Sequence, residues 1–324
     1  IGYAAMNSAN TQDGSTAVGF AAANYLTGAL GVTVTGFAAG RYVTTGDYST
    51  AFGYNALGGN SGGTAITGND NTALGANAGR DIVGAAEGNV LVGKDAGIAL
   101  TTGNFNVLIG RDAGDALLDE THNTAIGTDA LGGSSLVDQT VIVGSQAGLG
   151  AMTAAADGTV AVGYAALTAL TSGAGNTAVG FQALDGITTS AQNTAVGYSA
   201  LTAVGDSYAN TAVGYQAGDT ISNSGAFNVC IGTGADVSTG AAENQIVIGR
   251  ATTGVGNNSV TLGNSAVTDV YMSQDSGAYV HSQNVPNQAA NAMSSPYYRF
   301  DGTNDTVDCG DVMPSGFGDS FSID

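Results

Sequence analysis

Few residues in this 324-residue chain are of the types that carry out chemistry, and their placement argues against a reaction centre. The two histidines, His122 and His281, lie in unrelated segments, and His122 sits in a loop-like stretch before Asn123. It reads as an exposed loop residue rather than a base or a metal ligand. Of the two cysteines, Cys230 occupies a position that other copies of a repeat fill with Ala, which predicts a small buried residue. Cys309 lies elsewhere, and two such thiols do not form a disulfide framework. Gly-rich stretches such as Gly173-Ala-Gly175 lack the strand-to-helix setting of a phosphate loop. No catalytic, cofactor-binding or metal-ligating residue is assigned on these grounds. The chain is expected to be neither an enzyme nor a cofactor carrier.

Two regular patterns remain. Lys94-Asp95, Arg111-Asp112 and Thr128-Asp129 recur at intervals of 17 residues. Stacked as coils of a solenoid, their carboxylates would lie roughly 5 Å apart. Such a file needs either bases or a cation between its charges. Lys94 and Arg111 could supply the bases; a bound Ca²⁺ is the alternative. Nonapeptide calcium repeats are excluded, because Gly-Gly-x-Gly-x-Asp is absent. The second pattern is aromatic: Phe20, Phe37, Tyr54, Tyr164, Phe181, Tyr198 and Tyr215. It reads either as packing of coil on coil or chain on chain, or as a sugar-stacking stripe, and files of stacked rings favour packing.

Both patterns belong to a repeat that must position them. Asn176-Thr-Ala-Val-Gly180, Asn193-Thr-Ala-Val-Gly197 and Asn210-Thr-Ala-Val-Gly214 are near-copies 17 residues apart. With this Gly as position zero, the series runs from Gly2 to Gly263, and ten of its 15 intervals equal 17. A fixed period of this size specifies a solenoid. Positions −3 and −1 are branched or apolar, as in Thr177 and Val179, with Ala178 between them. Alternation places −3 and −1 on one face of a strand, and the bulkier pair is expected to point inward. The Gly turns the chain, and a second short strand and a polar loop complete the unit. Position +3 is Ala in every copy except Thr252. Small residues at −2 and +3 suggest that another backbone comes close there. Asn at −4, from Asn71 to Asn228, predicts an amide ladder along the stack.

Composition narrows the partners. A net charge of −20, from 26 acids and 6 bases, disfavours nucleic acid and anionic membrane. No apolar run approaches the ~20 residues of a membrane helix. The chain opens on Ile1-Gly2-Tyr3-Ala4-Ala5, the second half of a repeat, and is expected to be a piece of a longer polypeptide. The repeat region is expected over 1–266, a neck over 267–296, and the start of a further domain over 297–324.

The repeat resembles the head repeat of trimeric autotransporter adhesins, which carry an Asn-Ser-Val-Ala-Ile-Gly phrase, here Asn-Thr-Ala-Val-Gly or Asn-Val-Leu-Ile-Gly, with small residues after the Gly. Its wording is also similar to repeats of phage tail fibres. The segment Phe300-Asp-Gly-Thr-Asn-Asp-Thr-Val-Asp308, with Asp319-Ser-Phe-Ser-Ile323 after it, resembles the first strands of a laminin G- or concanavalin-like sandwich. These resemblances imply an all-β, left-handed parallel β-roll of about 15–16 coils, three chains to a shaft. They imply a phage tail fibre in the virion, joined to other virion proteins, whose missing tip binds a host glycan or receptor. A cell-surface adhesin of the same fold is the alternative, and a polysaccharide-cleaving tailspike a more distant one.

Overall fold

The computed structural model describes residues 1–8, 14–59, 62–202, 205, 207–222 and 224–270. These residues build one parallel β-solenoid. Fifteen strands run from β1 (Thr16–Val18) to β15 (Ser259–Leu262), each hydrogen-bonded to the next in chain order, which gives 14 steps of the stack. Register follows the repeat: Thr177, Ala178 and Val179 of β10 (Thr177–Val179) pair with Thr194, Ala195 and Val196 of β11 (Thr194–Val196). The neck and the further domain fall on residues 271–324, outside the described ones, except for 267–270, which form no regular element.

The period-two alternation is present, but its phase is the reverse of the one expected. Position −2 points inward and is buried in every coil from Ala17 to Val247, while −1 is partly or fully exposed. The reason is the residue at −4. Asn176, Asn193 and Asn210 are fully buried, and a strand that turns −4 inward must turn −2 inward as well. The +3 alanines also line this interior, so neither small position is free to meet a second chain.

The interior is thin, and in nine of its 14 coils the volume is shared between −2 and +4; Ala73 with Gly79 and Ala212 with Gly218 depart from this. Where −2 is Ala51, Ala125, Ala161, Ala178 or Ala195, +4 is Leu57, Leu131, Leu167, Leu184 or Leu201. Where −2 is Val34, Leu91, Leu108 or Ile142, +4 is Gly40, Gly97, Gly114 or Gly148. A Cβ added at Gly97 would lie 2.9 Å from Leu108 Cδ1 and 3.0 Å from Leu91 Cδ2, so one large side chain fills the space that two would contest.

The buried amides form the expected ladder. Asn193 Oδ1 accepts the Asn210 backbone N–H at 3.0 Å, and Asn193 Nδ2 donates to the Ser207 carbonyl at 3.0 Å. The same pattern links Asn89, Asn106 and Asn123, and Thr140 ends that run by donating its hydroxyl to Asn123 Oδ1 at 2.7 Å. Each amide thus ties the strand side of the next coil to its loop side, satisfying backbone groups that water cannot reach.

The second short strand expected in each unit is absent from the described residues apart from isolated bridges such as Val43–Ile66 and Tyr208–Ala226. That side of the coil is a run of turns. Positions −5, +2 and +4 take left-handed backbone even where they are not Gly, as at His122 (φ 60°), Asp112 (φ 57°) and Leu184 (φ 54°).

Two predictions follow from this packing. Gly197 has φ +145°, and a Cβ there would overlap the Gly214 carbonyl of the next coil. Gly197→Val is expected to destabilise by about 2–4 kcal/mol; a variant that melts with the parent would remove the assigned role of this Gly. Ala178→Leu alone is expected to overpack the coil. Combined with Leu184→Gly, it should recover about 1–2 kcal/mol of coupling, and a double-mutant cycle in denaturant that sums additively would refute the shared volume.

Candidate functional site

With −2, −4 and +3 turned inward, the outer side of the sheet becomes the surface most available for recognition. Position −1 presents Val18, Phe52, Leu74, Ile126, Val179, Val196, Val213, Ile231 and Ile248, each 36–56% exposed. Beside this file run the +1 aromatics. Phe20–Phe37, Phe37–Tyr54, Phe181–Tyr198 and Tyr198–Tyr215 stack with ring centroids 4.9–5.3 Å apart and planes within 12–13° or less. Coil-on-coil stacking therefore accounts for the aromatic period, because the rings inherit the strand spacing. Their outer edges stay exposed, so the two files together make two apolar stretches, from Phe20 to Tyr54 and from Tyr164 to Tyr215, separated by coils with Ala76, Lys94, Arg111, Thr128 and Ser145 at +1. Isolated exposed apolar residues need no explanation, but stretches that run over several successive coils do.

The acidic file is held by bases. Lys94 Nζ pairs with Asp95, Arg111 Nη1 pairs with Asp112, and Arg111 Nη2 reaches Asp129 Oδ2 at 3.6 Å. Asn77 Nδ2 donates to Asp95 Oδ1 at 2.8 Å. Partial burial pushes the Asp95 carboxyl up, but the hydrogen bonds from Lys94 and Asn77 outweigh it and hold the group below its ordinary value. Among the described residues, no three His, Cys, Asp or Glu side chains converge as a metal site.

The remaining reactive types are dispersed. The His122 ring packs against Phe105 at 5.3 Å between centroids. Cys230 lies buried at the −2 position of its strand, and burial, with Asp236 nearby, pushes its thiol up to about 12, which removes it as a nucleophile at neutral pH. His281 and Cys309 lie outside the described residues.

One perturbed carboxyl could not be found from the repeat, because it stands at +4, where most other coils carry Leu or Gly and the next coil pairs it with Thr253. Burial pushes Asp236 from 3.8 up to about 6, and the neighbouring Asp219 carboxyl adds to the shift; hydrogen bonds from the Thr220 side chain and from the Val237 backbone N–H (2.8 Å) oppose it. An acid whose folded pKa is raised binds its proton more tightly when folded. Its contribution is complete below about pH 3.8 and is lost as pH rises through about 6. Melting temperature is therefore expected to fall between pH 4 and pH 6 from this group, and Asp236→Asn to flatten that part of the profile. An Asn variant with the parent's pH dependence would contradict the assignment. Comparison with protein-family models and with curated proteins finds no match to this chain.

Proposed function

We propose that this chain is the structural shaft of a homotrimeric fibre, of the kind that holds the receptor- or glycan-binding tip of a phage tail fibre. The observation that carries this reading is the uncovered apolar file at −1 with its flanking +1 aromatics. Apolar stretches over several coils exposed to water favour self-association, and another copy of the chain carries the same file at the same spacing along the axis. Coil-to-coil registry then becomes chain-to-chain registry. The number three is taken from the resemblance of the repeat. The shaft does no chemistry on this reading. Its partners are two further copies, other virion proteins, and a host surface glycan reached through the tip.

Sedimentation at micromolar concentration tests the assembly. Three chains of 31.6 kDa give about 95 kDa. Placing Lys at Val179, Val196 and Val213 together, all outward at −1, is expected to dissociate the assembly without disturbing the buried −2 file. A folded monomer from the parent chain would overturn the reading, and a dimer would remove the threefold arrangement. Gold-labelled antibody should decorate tail appendages of phage particles; labelling of a cell envelope instead would move the assignment to a surface adhesin.

A further inference from the structure

The bases of this chain are few, and three of the six are neutralised by the next residue. Arg80 pairs with Asp81, Lys94 with Asp95 and Arg111 with Asp112. Arg41, like Arg250, lacks such a neighbour: Tyr42 follows it, and no carboxylate pairs with it among the described residues. Its guanidinium lies 5.1 Å from the Tyr42 ring centroid and 6.0 Å from that of Tyr25, two rings that stack at 5.0 Å. Its Nε is buried with no hydrogen-bond acceptor among the described residues. A buried donor of a charged group left without an acceptor is costly, and a ligand oxygen would relieve that cost.

Arg41 also faces a cleft of about 590 Å³ lined by Asn55, Arg80 and Asp81. The repeat explains why it exists. Arg41 and Arg80 both stand at +5, two coils apart, so their backbones are separated by roughly 10 Å. The coil between them has Gly58 at +5, and among the described residues no side chain fills the gap. One wall is close-packed: a Cβ at Gly59 would lie 2.5 Å from Tyr42 Cδ2, so the Gly59 backbone packs directly on the ring that supports Arg41. Arg80 is locked in a two-point pair, Nε to Asp81 Oδ1 at 2.8 Å and Nη2 to Oδ2 at 2.7 Å. Two arginines against one aspartate leave the cleft with one net positive charge inside a chain of net −20.

We propose that this cleft binds a hydroxylated carboxylate of monosaccharide size, a uronic acid unit, with Arg41 holding the carboxylate and Asn55 and Asp81 receiving the hydroxyls. A planar guanidinium matches a carboxylate in a two-point contact. An amide and a carboxylate already fixed by Arg80 offer both acceptor and donor groups to sugar hydroxyls. The volume falls within the range of small-molecule sites. The cleft is built within one chain, so binding here does not depend on the fibre assignment.

The test is a saturation-transfer NMR titration of the whole 324-residue chain with glucuronate, glucose, acetate and inorganic phosphate in parallel. Glucuronate is expected to saturate with a Kd on the order of 1 mM, at least about tenfold tighter than the other three. Arg41→Gln should weaken it by about tenfold or more. Arg41→Lys, which keeps the charge and loses the fork, should fall between, and it serves as the test if the Gln variant melts early. Equal binding of acetate or phosphate would reduce the cleft to a general anion site and overturn the proposal. So would equal binding of glucose, no saturation by glucuronate, or a parental Kd in both folded variants.

Discussion

The structure depends on how closely one coil lies on the next at position zero. From Gly2 to Gly249 this residue has φ between +132° and +145°, and a Cβ at Gly197 would fall on the carbonyl of Gly214. Only a residue without a Cβ allows the turn and the approach together. The Gly197 N–H then donates to the Val179 carbonyl of the preceding coil at 2.8 Å, and the Asn file continues the alignment four residues earlier. Strand register, amide ladder and aromatic stacking all inherit the spacing set there.

A steric constraint on the backbone explains why the side chains can vary so much. Because coil spacing is fixed by Gly and Asn, the core only has to be filled, and either Ala178 with Leu184 or Leu108 with Gly114 fills it. The outer face has no such limit, and Thr, Val, Ile, Leu and Phe all occur along it.

Much of this was legible in the sequence, and the failures have physical causes. The period, the parallel register, the Gly turn, the Asn ladder and the burial of Cys230 could be read because each repeats with the same residue type. The inward face is not legible from bulk, because Val179 and Thr177 are larger than Ala178, yet it is Ala178 that points inward. The buried Asn176 beside them carried the correct phase, since an amide ladder closes only inside the coil. The absence of a second strand could not be read, because left-handed backbone at Gln182 and Leu184 leaves no mark in residue type; their N–H groups bond to Tyr164 and Ala200 of neighbouring coils. The Arg41 cleft was readable in principle from the order Arg41, Gly58, Arg80 at +5, but an insertion before Gly75 hides the alignment.

Those left-handed residues also bear on how the chain must fold. His122, Asp112 and Leu184 each adopt a conformation that an isolated segment would rarely visit. The bonds that hold them, His122 N–H to the Asn104 carbonyl and Leu184 N–H to the Ala200 carbonyl, reach one coil away. A single coil therefore cannot nucleate itself, whereas each added coil finds its template already formed. Assembly of this kind zips along the axis from a costly start, and loss begins at the two terminal coils. The persistence of the stack is then a matter of rate as much as of equilibrium, and it grows with the number of coils between the ends.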